Sequence, residues 1–341
     1  MNKITLSILA AVTITGCQSN NTNAAQAEQT SHASQSVYEV EYAYAHHFAL
    51  QAESLQTRFT EFCSNDATAD RLKKEWHETM LAWMALQGQE RGPETALEQS
   101  WNIQFWPDKK NTTGRKMASL TTQEKTWTAT EIAQQSVTVQ GLGAIEWMLY
   151  DPSSDLSLQS TSCQTGVAIA QNLSRNANTI ASAWQQNPWA ELDEKAWLSE
   201  YIALLSNQLE YSMKKLSRPL ATFGKPRPYF SESWRSKTSM LNLQENVKAM
   251  QSLYFAKGKG LDLLLRERGK AELADRVVNQ FDVTLSTWPT DKSLFDLLQT
   301  KEGYRIAYAQ FNKLEQLKYL IHEEVAVELG VVIGFNATDG D

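Results

Sequence analysis

The sequence has little of what a sheet, a membrane-spanning bundle or a known hydrolytic centre is built from. Val-Ile-Thr alternation bounded by turns is nearly absent, so strands have little to form from. No apolar run is long enough to cross a bilayer, no short repeat recurs, and no basic stretch or basic helix face stands out. With 32 Lys and Arg against 39 Asp and Glu the balance is acidic, which argues against nucleic acid as a partner. Neither HExxH nor GxSxG occurs, leaving a zincin peptidase and a serine-hydrolase elbow without sequence support. Gly141 and Gly143 lack the third glycine and the preceding strand of a phosphate loop. There are only five histidines. His46 and His47 are adjacent and point to different parts of a helix surface, while His77 and His322 have no partner three or four residues away.

What the sequence does have is helical spacing. Leu198, Ile202, Leu205, Leu209, Met213 and Leu216 recur at steps of three and four, as do Tyr304, Tyr308, Phe311, Leu314, Leu317, Ile321 and Val325. Shorter stripes run through Leu72, Trp76, Met80 and Trp83, and through Met240, Leu243, Val247, Met250 and Tyr254. Asp66 is placed to cap the helix carrying Trp76, Thr121 with Glu124 has a capping-box pattern, and Asp151-Pro152 ends another helix. Two prolines keep KPRPYF, residues 225 to 230, out of any helix interior. The fold class that follows is all-α. Helices joined by short loops and apolar on one stripe bury that stripe as bundles, here an N-terminal one over residues 36–188 and a C-terminal one over 189–341.

The first residues, MNKITLSILAAVTITGC, read as a signal peptide over 1–16, with small residues before Cys17. ITGC resembles a bacterial lipobox, which implies cleavage before Cys17, lipid on that cysteine and attachment to a membrane. Gln18 rather than Asp after the cysteine implies the outer membrane, on its periplasmic face. Residues 17–35 contain no large apolar side chain and read as a flexible tether, with His32 solvated in it. Cys63 and Cys163 then remain. In an oxidising compartment such a pair is more often a disulfide than a metal site, two free buried thiols being the alternative.

Glu146 in GLGAIEWMLYD sits among Ala144, Ile145, Trp147, Met148 and Leu149, so its charge is carried into an apolar face unless something pairs with it. Arg235 and Arg91 are the candidate partners, and an ordinary solvent-facing Glu is the alternative. SESWRS gathers Glu232, Ser233, Trp234, Arg235 and Ser236 after a Pro-rich loop. It reads equally as an anion grip, with Arg235 bidentate on a carboxylate or phosphate, and as a buried ion pair that fixes one bundle on the other. QERGPE and FWPD bring Arg91, Trp106 and Asp108 onto loops, with Trp106 read more as a packing anchor than as a ligand platform. Asp339 and Asp341 at the chain end offer hard oxygen ligands or are simply solvated.

WNIQFWPDKKN (101–111), GLGAIEWMLYD (141–151), ESWRSKTSMLNLQENV (232–247) and LGVVIGFNATDGD (329–341) resemble, in this order, the imelysin-like family of bacterial envelope proteins. The resemblance implies two four-helix-type bundles with a site at their interface, and a setting among peptidases or iron-regulated and iron-uptake proteins. The family's GxHxxE is taken to bind a metal; the matching residues here are Gly141, Gly143 and Glu146, so the imidazole is missing. Zinc and iron sites use three or four protein ligands, and losing one donor leaves Glu146 a much poorer ligand for iron or another divalent cation. The expectation is therefore a lipid-anchored binding protein of metal acquisition, whose pocket takes an anionic ligand, a chelate or an envelope partner. Arg235 and Arg91 would neutralise the anion while Glu146 and Glu232 hold them. A metal-dependent peptidase and a scaffold without a small ligand are the alternatives.

Overall fold

The stripes counted in the sequence become the buried faces of long helices in the computed structural model, which describes residues 31–331. Cys17, its lipobox, most of the tether, Asp339 and Asp341 lie outside the described residues. Helix α1 (Gln35–Cys63) buries Phe48, Leu55 and Phe59, and α2 (Ala69–Met84) buries Leu72, Trp76, Met80 and Trp83. Then come α3 (Thr112–Thr121), α4 (Gly141–Tyr150), α5 (Thr161–Ala183) and α6 (Glu194–Leu220). They are followed by α7 (Ser239–Phe255), α8 (Ala271–Ser286) and α9 (Lys301–Tyr319). The described chain is all-α, with no strand beyond one isolated bridge between Thr222 and Lys225.

Helix ends differ from the pattern in two places. Thr68, not Asp66, caps α2, its hydroxyl accepting from the Arg71 amide at 3.3 Å, because only the residue just ahead of the first turn reaches that N–H. Thr121 is the last residue of α3, and the reciprocal cap forms instead at Thr128 and Glu131. His32 is half-buried and held by the fold. Its ring bonds the Leu192 carbonyl at 2.8 Å and the Ser34 hydroxyl at 2.7 Å, so residue 32 is tied to the fold ahead of residue 35.

In the first half of the sequence α1 packs along α5 and α2, while α4 fills the space against α2, α3 and α5. Cys63 at the end of α1 is disulfide-bonded to Cys163 in the first turn of α5, with Cα atoms 5.8 Å apart. In the second half α6 lies against α7 and α9, and α8 bridges α7 and α9. The two sets meet chiefly where α2 crosses α7, with α1 touching α7 beside it. The described chain from His32 onward is one compact unit. Trp76, Trp147, Trp197 and Tyr201 are all fully buried in it, each removal from water contributing roughly 1.5–3 kcal/mol or more. The Trp76 indole donates to the Leu142 carbonyl at 3.0 Å, which fixes the start of α4 against α2.

Candidate functional site

Helix α4 is buried on nearly every side, and its one charge, Glu146, is only 5% exposed. The partner that the apolar surroundings demand is not a cation. Glu146 Oε1 accepts from both the backbone amide (2.9 Å) and the hydroxyl (2.8 Å) of Ser236. No hydrogen bond from the described residues reaches its Oε2. Burial pushes the Glu146 carboxyl above its ordinary range, opposed by the two Ser236 donors and, less, by Arg235 nearby.

The two glycines of the motif have different duties. Gly141 has φ +64°, and a Cβ there would lie 2.1 Å from the Ile103 carbonyl oxygen, so it is a packing glycine that does not line the cleft. Gly143 would meet nothing within 4 Å if it carried a Cβ. One helical turn before Glu146, on the same face, there is open space at the Cβ position.

The turn from Ser231 to Thr238 brings SESWRS to this face. Ser233 (φ +48°) and Lys237 (φ +60°) both hold left-handed backbone that costs non-glycine residues energy, a strain the surrounding bonds must overcome. Glu232 points away from the cleft into the seam between the two helix sets. There it meets Lys215 of α6 at 2.6 Å, the two side chains 1% and 0% exposed. Gln87 and Gln104 also donate to Glu232, at 2.8 and 3.1 Å, and Lys215 donates to Gln87 and Asn246, at 2.8 and 2.7 Å. Burial pulls the Lys215 ammonium below its ordinary range, with Glu232 pulling the other way. Ser233 accepts from Asn242 at 3.0 Å.

The arginines are placed otherwise than expected. Arg235 does not pair with Glu146: its Nε donates to Asp151 at 2.7 Å and its Nη2 to Asn111 at 2.6 Å, while the guanidinium lies 4.3 Å over the Trp234 ring. Asp151 closes α4 and reaches the guanidinium first, so Arg235 is already neutralised. Burial alone would raise Asp151, yet Arg235 holds it below the usual carboxylate range. Arg91 does not reach Glu146 either; it faces Glu200 at 3.7 Å and donates to the Glu90 carbonyl, because its loop runs along α6. Glu232 holds neither arginine. Asp108 spends both oxygens on the Thr112 and Thr113 amides (2.6 and 2.9 Å), capping α3. Trp106 is buried, with its indole donating to the Phe230 carbonyl at 3.2 Å.

Gly143, Glu146, Trp106 and Asp108 thus meet Ser233, Trp234 and Arg235 around a cleft of about 40 Å³. Gly141, Arg91, Glu232 and Ser236 do not line it. Among the described residues no three His, Cys, Asp or Glu side chains gather as a metal site. The cleft's two acids are Glu146 and the capping Asp108, with the Arg235 cation beside them, so the donor set does not fit a transition metal held by protein ligands. Lys215, Gln87, Gln104 and Asn246 were not singled out from the sequence. A lysine next to Leu216 on an amphipathic helix signals nothing of the glutamate that meets it across the fold.

A family model described as Imelysin (Peptidase_M75) matches residues 41–321. No curated protein matches the chain. Among solved structures, an imelysin-like protein from Psychrobacter arcticum 273-4 is similar with a TM-score of 0.74 at 20% identity, over 89% of this chain and 96% of that one. A protein named as an iron-regulated protein A precursor, from Parabacteroides distasonis ATCC 8503, is similar with a TM-score of 0.63 at 12% identity, over 85% and 93%. At these identities the likeness is one of fold.

Proposed function

The chain belongs to the imelysin family, and from that premise we propose that it is an envelope binding protein whose cleft, between an N-terminal and a C-terminal helical bundle, holds a ligand and performs no hydrolysis. Lipid on Cys17 would tether it to the periplasmic face of the outer membrane, and iron or metal acquisition would be its process. The family resemblance and the name of the P. distasonis neighbour support that setting.

One observation carries the reading: the open space beside Gly143, one turn from a desolvated Glu146. Where the family motif sets an imidazole, this chain offers no donor atom, and the remaining acid already accepts two bonds from Ser236. A lone buried carboxylate does not hold a transition metal against water. A ligand reaching this face brings its own charge or its own metal, as an anion or a chelate does, and meets a carboxyl that burial pushes above its ordinary range.

The test is elemental analysis of the protein purified from its native envelope, beside a Gly143→His variant. The new Cβ displaces no atom, and the side chain leaves the helix one turn before Glu146 on the same face. The variant is expected to retain iron or zinc that the parent lacks. Equal metal in the two proteins would overturn the placement of the site.

A further inference from the structure

The cleft beside Gly143, at about 40 Å³, has room for about one water molecule. Next to it, sharing Phe105, Trp106 and Asp108, lies a groove of about 520 Å³, within the range of small-molecule sites. We infer that this groove binds a small aromatic anion, such as an aryl carboxylate or aryl sulfonate. The inference rests on the reading of this region as a ligand site and names the class of ligand.

One wall is aromatic. Trp101, 54% exposed, packs against Phe105 at 5.9 Å between ring centres, and Trp106 packs edge-on against Tyr211 at 5.7 Å. The Trp106 ring is fixed by its bond to the Phe230 carbonyl, so a planar ligand meets a surface already ordered. Such rings favour another π system over water, and an exposed indole beside a concavity is where one would stack.

The rim is cationic. Lys109, Lys110, Lys214 and Arg218 line the groove, although the whole chain carries a net charge of −7. No carboxylate of the described residues lies within the 4.0 Å ion-pair distance of Lys109, Lys110 or Arg218. Of the two acids present, Asp108 is turned onto the amides of α3, leaving Glu90 on the rim. Arg218 also lies 5.9 Å over the buried Trp106 ring, which sets the cation against the aromatic wall and leaves Trp101 as its exposed indole. A neutral aromatic would leave Lys109, Lys110 and Arg218 unanswered, and a compact anion such as phosphate would leave the exposed Trp101 ring bare. A ring bearing one or two negative groups answers both.

The experiment is calorimetric titration of the purified full chain with 1-naphthoate, 1-naphthylmethanol and acetate, repeated with a Lys109→Glu/Lys110→Glu variant. Both lysines are exposed, so the variant keeps the fold. Naphthoate is expected to bind at least about tenfold tighter than either control, the size of one charge-assisted hydrogen bond, and to weaken by about tenfold or more in the variant. Equal binding of naphthoate and naphthylmethanol, an unaffected variant, or no binding of naphthoate would each overturn the inference. Metal gained by Gly143→His is read separately. Naphthoate failing while that variant gains metal removes the groove and leaves the cleft, and the converse result removes the cleft assignment alone.

Discussion

Replacing Lys215 by methionine removes one charge from the most deeply buried ion pair and keeps much of the side chain's bulk. The ammonium sits 2.6 Å from Glu232, 2.8 Å from Gln87 Oε1 and 2.7 Å from Asn246 Oδ1, so all three of its hydrogens are in use. Methionine replaces none of them. Glu232 keeps its bonds from Gln87 and Gln104 but is left as an uncompensated carboxylate at 1% exposure. Breaking one side of such a pair costs about 3–5 kcal/mol. Spread over about 300 described residues, at an unfolding entropy of ~2.1 cal/mol/K per residue, this lowers Tm by roughly 5–8 °C. Urea unfolding with an unchanged m-value gives the free energy directly. In Lys215→Met/Glu232→Gln both charges are gone, and at least about 2 kcal/mol of the loss should return, since a neutral pair of similar shape carries no stranded charge. A single variant within about 1 kcal/mol of the parent, or a double variant losing the sum of the two singles, would refute the reasoning.

Glu41 on α1 is fully buried with a single bond, from Gln89 at 2.9 Å, and burial pushes its carboxyl up to about 8. Between the ordinary carboxylate range and pH 8 the native state therefore holds a proton the unfolded chain has released. Stability falls as pH rises through that window, by up to about 1.4 kcal/mol per unit, and levels off above it. Glu41→Gln should flatten this slope in urea titrations run from pH 5 to 9; parallel slopes for the two proteins would contradict the assignment. The two glycines of α4 make a second contrast. Gly141→Ala drives a methyl to within 2.1 Å of the Ile103 carbonyl at φ +64° and is expected to cost more than about 2 kcal/mol, whereas Gly143→Ala meets nothing and should stabilise by about 0.5–1 kcal/mol. Equal melting temperatures for these two variants would show that the glycines are interchangeable.

The helices were legible because burial on one face imposes a repeat that residues such as Leu198, Ile202 and Leu205 carry in plain view. Glu146 also announced itself, since a carboxylate amid five apolar neighbours must be answered by something, though the donor is Ser236 and neither of the two expected arginines. The atoms were not legible. A backbone amide carries no side-chain signature, so Ser236 was less visible than Arg235 beside it, and Arg235 went to Asp151 because of how α4 ends in space. Lys215 and Gln87, 128 residues apart in sequence, are joined only by the fold. Caps were off by a few residues for a similar reason: Asp66 and Thr68 both suit the position, and only the chain's path chooses between them.

The polar seam has a further consequence for how this architecture can be taken apart. Glu232, Lys215 and Asn246 belong to the later half of the chain, but Met84, Gln87 and Gln104, which complete their shell, belong to the earlier one. Neither half is a transplantable module. A chimaera that exchanged one without carrying these six positions together would bring a bare ion to an oily wall.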